Sequence, residues 1–126
     1  MTDVIVKKSP IEGLGVFACR NFRKGDIVFK WDVSHKLTRE QAKSLPEKKR
    51  RYVPCFKGVY ILLQPPERYV NHSCEANTNI RDFCDVAVRD IKKGEEITTN
   101  CLGAAPDWFK IKCNCGSKEC KGIVKK

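Results

Sequence analysis

The sequence predicts a mainly β fold made of several small sheets, and three observations carry that prediction. Its apolar runs are short and rich in β-branched and aromatic residues, Gly and Pro turn signals recur between them, and one segment alone carries the signals of a helix. With 126 residues, the chain has room for one compact domain, or for one domain with a small appendage.

Taken in order, residues 3–7 and 14–19 read as strands separated by Ser9-Pro10 and Gly13. Phe22-Arg23-Lys24-Gly25-Asp26 and Ile91-Lys92-Lys93-Gly94-Glu95 share one pattern, apolar-x-Lys-Gly-acid, and each reads as a turn at Gly feeding a strand. One turn type used twice explains the match more cheaply than a duplicated unit. Thr38-Arg39-Glu40-Gln41 has the spacing of a helix capping box, so a helix should run from there to Leu45 and stop at Pro46. Residues 58–63 form a buried-strand run ended by Pro65-Pro66, and residues 80–88 supply further strand. A cysteine-rich tail closes the chain.

Composition narrows the function classes. Hydrophobic residues make up 41% and charged residues 32%, and no apolar run approaches the roughly 20 residues that cross a bilayer. The N-terminus lacks the apolar stretch of a signal peptide, which implies an intracellular protein, cytoplasmic or nuclear. In a reducing compartment the eight cysteines read as metal ligands and buried thiols in preference to disulfides.

The net charge of +10 is localised. Residues 36–51 hold seven Lys/Arg and two Glu, and residues 110–126 hold six Lys and one Glu, so each patch is +5 and the rest of the chain is neutral. A single Lys-rich patch is commonly only a solvated face, but two concentrated ones favour a polyanion or an acidic protein face as neighbour. Aromatics that could stack on bases are sparse there, which argues against a dedicated nucleic-acid binder.

Cys113-Asn114-Cys115-Gly116-Ser117-Lys118-Glu119-Cys120 is a C-x-C-x4-C arrangement in a polar loop. Three thiolates that close suit structural zinc, which takes four N/S ligands in a tetrahedron. The fourth must come from Cys19, Cys55, Cys74, Cys84, Cys101, His35 or His72, and spacing alone does not choose among them. The densest polar cluster between strands is Arg68-Tyr69-Val70-Asn71-His72-Ser73-Cys74. Read alone it fits a turn stabilised by side chain to backbone hydrogen bonds as well as it fits a ligand site, and Cys beside His in sequence does not make a catalytic pair.

Four motifs in register change that balance: Glu12-Gly13-Leu14-Gly15-Val16-Phe17-Ala18, Arg68 to Cys74, Gly94-Glu95-Glu96-Ile97-Thr98 and the cysteine tail. Together they resemble the SET-domain protein-lysine methyltransferases with a post-SET zinc motif, over essentially the whole chain. The resemblance implies a minimal SET domain at residues 1–105, a β-clip-like fold with a pseudoknot, and a zinc-binding tail at residues 106–126. It implies S-adenosylmethionine as cofactor, with Gly13, Leu14 and Gly15 bringing backbone close to it. Asn71 and His72 would hold the cofactor's amino group and adenine, Arg68 would support their loop, and Trp108 or Phe109 would cap the cofactor. It further implies Cys74 as the fourth ligand to one structural zinc, beside Cys113, Cys115 and Cys120.

The substrate so implied is a protein with an exposed lysine, a histone or another nucleic-acid-associated protein. A lysine ammonium has no lone pair, so transfer requires the neutral amine; lowering its pKa from about 10.4 to near 7 costs roughly 4–5 kcal/mol. A dry channel and the sulfonium charge both favour the neutral form. The reaction is then an in-line displacement that needs alignment and desolvation.

The sequence departs from the family where, after Gly-Glu-Glu-Ile-Thr, the pattern continues with an aromatic, Asp and the catalytic Tyr. Here Thr99, Asn100 and Cys101 stand in those places. A thiol is a poorer hydrogen-bonding partner than a phenol, so the alternative to an enzyme is a SET module that binds cofactor or peptide as a scaffold. Tyr60 and Tyr69 are the candidate substitutes for the missing phenol, although both read more simply as packing residues. Glu75, Asp82, Asp85, Glu95 and Glu96 could draw a basic peptide locally, yet most read as ordinary surface carboxylates. A minimal domain offers little surface for gripping substrate, which makes a homodimer an expectation too.

Overall fold

The computed structural model describes residues 3–11, 13–106, 110–112, 115, 120 and 122–125. Strands β1 (Val4–Lys8) and β2 (Leu14–Ala18) form an antiparallel pair with Val6 opposite Val16. The turn at Gly25 leads into β3 (Ile27–Lys30). After β4 (Lys36–Leu37), helix α1 (Arg39–Ser44) begins at Thr38 with both halves of the expected capping box in place: the Gln41 N–H donates to Thr38 Oγ1, and the Thr38 N–H donates to Gln41 Oε1.

Helix α1 stops at Pro46 as the sequence suggests, with Leu45 its extended C-cap. Pro46 sits at the N-cap of a second short helix, α2 (Glu47–Arg50), a place where its missing N–H costs nothing. β5 (Cys55–Phe56) and β6 (Val59–Ile61) join β4 in a three-stranded sheet. A 3-10 turn at Glu67–Tyr69 then delivers the chain to β7 (Asn71–His72), β8 (Thr78–Arg81), β9 (Cys84–Ala87) and β10 (Glu96–Thr99).

The main sheet runs β1-β2-β10-β8-β9-β3, with β7 also paired to β10. β10 is antiparallel to β2 in its first half and parallel to both β7 and β8 in its second, so three distant segments converge on four residues. This is the crossing that the expected pseudoknot requires. Asn77 locks it: its amide donates to the Glu96 carbonyl at 2.8 Å and its Oδ1 accepts from the Thr98 N–H at 2.8 Å. Thr78 Oγ1 adds a bond to the Thr98 carbonyl.

The core is small. Val4, Val16, Ala18, Phe22, Val28, Ala87, Ile91 and Ile97 form one buried cluster between the sheet and its turns. The two apolar-x-Lys-Gly-acid segments face each other across it: Phe22 and Ile91 exchange both backbone hydrogen bonds, at 2.8 and 2.9 Å. Gly25 and Gly94 have the same φ of +93°, a conformation that a side chain would strain, which accounts for Gly at both positions. In the tail, β11 (Lys110–Lys112) pairs antiparallel with β12 (Ile123–Lys125), a hairpin whose strands bracket the cysteine motif. Among the described residues no helix is long and apolar enough to cross a membrane.

Candidate functional site

Two cavities share a wall; the larger is called the outer one and the smaller the inner one. The outer one, about 180 Å³, is lined by Gly13, Leu14, Tyr52, Tyr69, Asn71 and His72, with Arg51, Arg68, Val70 and Cys101 at its inner end. Those last four residues also line an inner cavity of about 60 Å³, whose other walls include Trp31, Glu67, Asp85 and Thr99. Cys101 therefore stands between the two, at the start of a 3-10 turn (Cys101–Ala104) capped by the Asn100 side chain.

Asn71 and His72 are buried on β7, where parallel pairing to Thr98 and Thr99 fixes their backbone. The Asn71 amide reaches Ser9 Oγ at 3.2 Å, the Leu14 carbonyl at 3.1 Å and Glu96 Oε2 at 2.9 Å. Glu96 in turn accepts from Ser9 Oγ at 2.8 Å. The Leu14 segment is thus tied to the Asn71 strand by a polar knot beneath the outer cavity. Gly15 belongs to this knot and lies outside the cavity lining: a Cβ there would stand 2.5 Å from Glu96 Oε2 and 2.9 Å from Ser9 Cβ. Its smallness admits the carboxylate.

His72 faces two ways. Its Nδ1 accepts the Cys101 N–H at 3.0 Å, which makes Nδ1 the unprotonated nitrogen, and its Nε2 lies 3.7 Å from Cys74 Sγ. Arg68 donates from Nε to the Leu63 carbonyl and lays its guanidinium over the Tyr52 ring, bracing the wall shared by both cavities.

The expected site residues therefore separate. Gly13, Leu14, Arg68, Tyr69, Asn71, His72 and Cys101 come together at the outer cavity. Tyr60 lies in the β4-β6-β5 sheet, where its hydroxyl accepts from Arg39, and it lines neither cavity. Trp108, Phe109 and Cys113 lie outside the described residues. Cys74, Cys115 and Cys120 converge, with their Sγ atoms within 4.8 Å of one another. A tetrahedral zinc with Zn–S near 2.3 Å would set sulfurs roughly 3.8 Å apart, so the cluster fits such a metal after small side-chain rotations.

The carboxylate expectation needs correcting at two positions, Glu96, which is tied into the knot with Ser9 and Asn71, and Asp85. Asp85 is no surface residue: it is 2% exposed, and its Oδ2 accepts the Trp31 indole N–H at 3.0 Å. Burial pushes its carboxyl up to about 7; the charge of Glu67 adds to that, while the Trp31 and Thr99 side chains work against it. Glu67, also buried, is raised by desolvation although the Asp32 N–H donates to it at 2.7 Å. Burial likewise pushes the Cys101 thiol up to about 12, with Asp85 adding and Arg51 opposing. At neutral pH Cys101 is a thiol, which removes it as a nucleophile. Alternation along β9 puts Asp85 on the same face as Ala87, but the sequence alone does not say that this face is the covered one.

Residues 13–102 match the family model described as the SET domain. The chain belongs to the SET-domain family. Curated relatives agree: the SET domain is 28% identical over 140 residues to human histone-lysine N-methyltransferase 2D, and 28% identical over 137 residues to histone-lysine N-methyltransferase TRX1 of rice. Those alignments cover 94% and 93% of this chain but 2% and 13% of the relatives, so the chain spans a small part of each. Among solved structures, a humanised mutant of the Chaetomium thermophilum Polycomb Repressive Complex 2 bound to an inhibitor superposes with a TM-score of 0.69 at 22% identity, over 83% of this chain and 15% of that one. A ctPRC2 structure bound to S-adenosylmethionine gives 0.67 at 23% identity, over 83% and 16%. The fold is thus that of a SET domain. Cys115 and Cys120 lie beyond the matched residues, whereas Cys74 and Cys101 lie within them.

Proposed function

We propose that the chain is an S-adenosylmethionine-dependent protein-lysine methyltransferase of minimal SET type, with one structural zinc in its tail. The observation that carries this reading is the meeting of the two cavities at Cys101. An outer cleft bordered by the Gly13–Leu14 backbone and the Asn71-His72 strand suits a polar cofactor, and an inner one of about 60 Å³ suits the end of an alkyl amine. S-adenosylmethionine bound in the cleft supplies an electrophilic methyl group on a sulfonium. Asn71, His72 and Arg68 then hold the cofactor and brace its loop, while Trp108 or Phe109 of the tail (residues 106–126) closes over it.

The zinc reading rests on the convergence of Cys74, Cys115 and Cys120, to which Cys113 adds the fourth thiolate. Because Cys74 is two residues from His72, the metal ties the cofactor strand to the tail. The substrate is a protein lysine, in a histone or another nucleic-acid-associated protein, inside the cell. The basic residues 36–51 and 110–126 fit a substrate already neutralised by nucleic acid better than a free basic tail, which they would repel. A homodimer would enlarge the substrate-gripping surface.

Incubation of the zinc-loaded chain with labelled S-adenosylmethionine and a panel of histone-tail peptides tests the reading, and label on lysine supports it. One specific observation favours a second reading, a module that binds cofactor without transferring methyl: the thiol of Cys101 stands where a phenol is expected. Cofactor binding without transfer, restored by Cys101→Tyr, would select that second reading.

A further inference from the structure

The inner cavity contains polar groups that nothing in the fold uses. Asp85 and Thr99 are 2% and 5% exposed, and Asp85 Oδ1 and Thr99 Oγ1 form no well-aligned hydrogen bond among the described residues, although the Thr99 hydroxyl lies close enough to hold the Asp85 carboxyl down a little. Leaving two such atoms unpaired costs free energy that folding alone does not recover, so a ligand with donors is the economical explanation. Both residues line the cavity that Cys101 separates from the cofactor cleft. The walls add a second carboxylate, Glu67, and an indole, Trp31, with apolar contacts from Val53, Leu63 and Ile80. Arg51 and Arg68 line the same walls, so charge alone does not choose the ligand; Asp85 Oδ1, an acceptor when ionised, calls for a donor. A neutral apolar group would leave Oδ1 and Oγ1 unpaired.

We propose that Asp85, assisted by Thr99, receives the substrate's alkylammonium group, takes one of its protons and orients the resulting amine toward Cys101 and the cofactor cleft. The inference deepens the methyltransferase reading and rests on it for the electrophile. In the step so assigned, an Nζ–H bond breaks, the proton passes to Asp85 Oδ1, and the bonding pair remains on nitrogen as the lone pair. That pair then forms the N–C bond to the cofactor's methyl group while the C–S bond breaks and returns its electrons to sulfur. Thr99 Oγ1 accepts from a remaining N–H and fixes the lone pair's direction. A carboxyl raised to about 7 is matched to such proton transfer at neutral pH, and the burial of Asp85 favours the uncharged acid–amine pair over the ion pair. The charged and titratable groups facing Asp85 here are Glu67 on the 3-10 turn, Cys101 after β10, and Arg51 and Arg68 on the wall shared with the cleft. Cys101 holds its proton throughout, so a thiol stands where a phenol would otherwise compete for the amine.

The test compares the zinc-loaded chain with its Asp85→Asn and Thr99→Val variants in two measurements. The first is methyl transfer to a histone-tail peptide across pH 5.5–9. The second is calorimetric binding of n-butylamine, a mimic of the lysine end, to protein saturated with S-adenosylhomocysteine. The proposal expects Asp85→Asn to lower kcat by roughly 10²-fold or more. It also expects loss of the rise in kcat near neutral pH, an unchanged cofactor Kd, and abolition of n-butylamine binding. Thr99→Val should give a smaller loss with the pH profile retained. Transfer within threefold of wild type in Asp85→Asn, with the same pH profile, overturns it. If the wild-type chain transfers no methyl group, the methyltransferase reading fails separately. Butylamine binding that depends on Asp85 then still supports the amine site, and binding that is absent or independent of Asp85 overturns it. Asn keeps the shape of Asp and an acceptor for Trp31, and thermal unfolding of the variant checks that the fold is intact.

Discussion

At the scale of the residue, two positions carry most of the consequences. Gly15 is needed because the Glu96 carboxylate, held by Ser9 and Asn71, fills the space a Cβ would take. Gly15→Ala should destabilise the chain by about 1–3 kcal/mol, as overpacking generally does, and chemical denaturation reads this directly. Asp85 makes a prediction with a definite sign. Its carboxyl is raised from 3.8 to about 7 in the folded state, so the folded chain binds more protons than the unfolded one between those values. Stability is therefore fully present below about pH 4 and lost as pH rises toward 7. About three pH units at 1.36 kcal/mol each bound the effect at roughly 4 kcal/mol. Asp85→Asn should remove most of that slope, Glu67 contributing the remainder in the same direction. A wild-type stability that rises from pH 4 to 7 as steeply as the variant's would contradict this burial account. Much at this scale was legible: Asn71, His72, Arg68, Gly13 and Leu14 are motif residues and line one cleft. Asp85 was not legible, because a short strand reading Cys-Asp-Val-Ala shows an acid among apolar residues without showing which face is covered. Only the approach of Trp31 and the 3-10 turn buries it.

At the scale of the element, the strands, the turns at Gly25 and Gly94 and the capped helix α1 follow from local chemistry, and the structure has all of them. The missed elements lack a local signal. α2 is Glu-Lys-Lys-Arg with no apolar face, so no periodicity announces it. β11 and β12 are three residues each and acquire meaning only as a hairpin around the cysteine loop. That hairpin brings Cys115 and Cys120 back to Cys74, which lies against His72, so a metal held there would be coupled to the proposed cofactor cleft. Metal analysis of the purified chain should return one zinc, and Cys74→Ser should lose it. The same variant should weaken S-adenosylmethionine binding by at least tenfold, because the His72 strand and the tail come apart. Full zinc retention in Cys74→Ser would remove Cys74 from the ligand set.

At the scale of the whole molecule, charge and cavity organisation belong together. The +5 segment at residues 36–51 comprises β4, α1, α2 and Arg51, and Arg51 reaches the boundary between the two cavities. A polyanion on that face would sit close to the site. Association with duplex DNA should then weaken with salt: four or five phosphate contacts give a log–log slope of roughly −4, measured by fluorescence anisotropy between 50 and 200 mM salt. A slope near zero would show the patch to be a solvated face. If the outer cleft is the cofactor site and opens onto an amine cavity, calorimetric titration of S-adenosylmethionine into the zinc-loaded chain should show saturable binding of one equivalent, displaced by S-adenosylhomocysteine. A folded, metal-loaded protein that binds none of it would overturn that assignment.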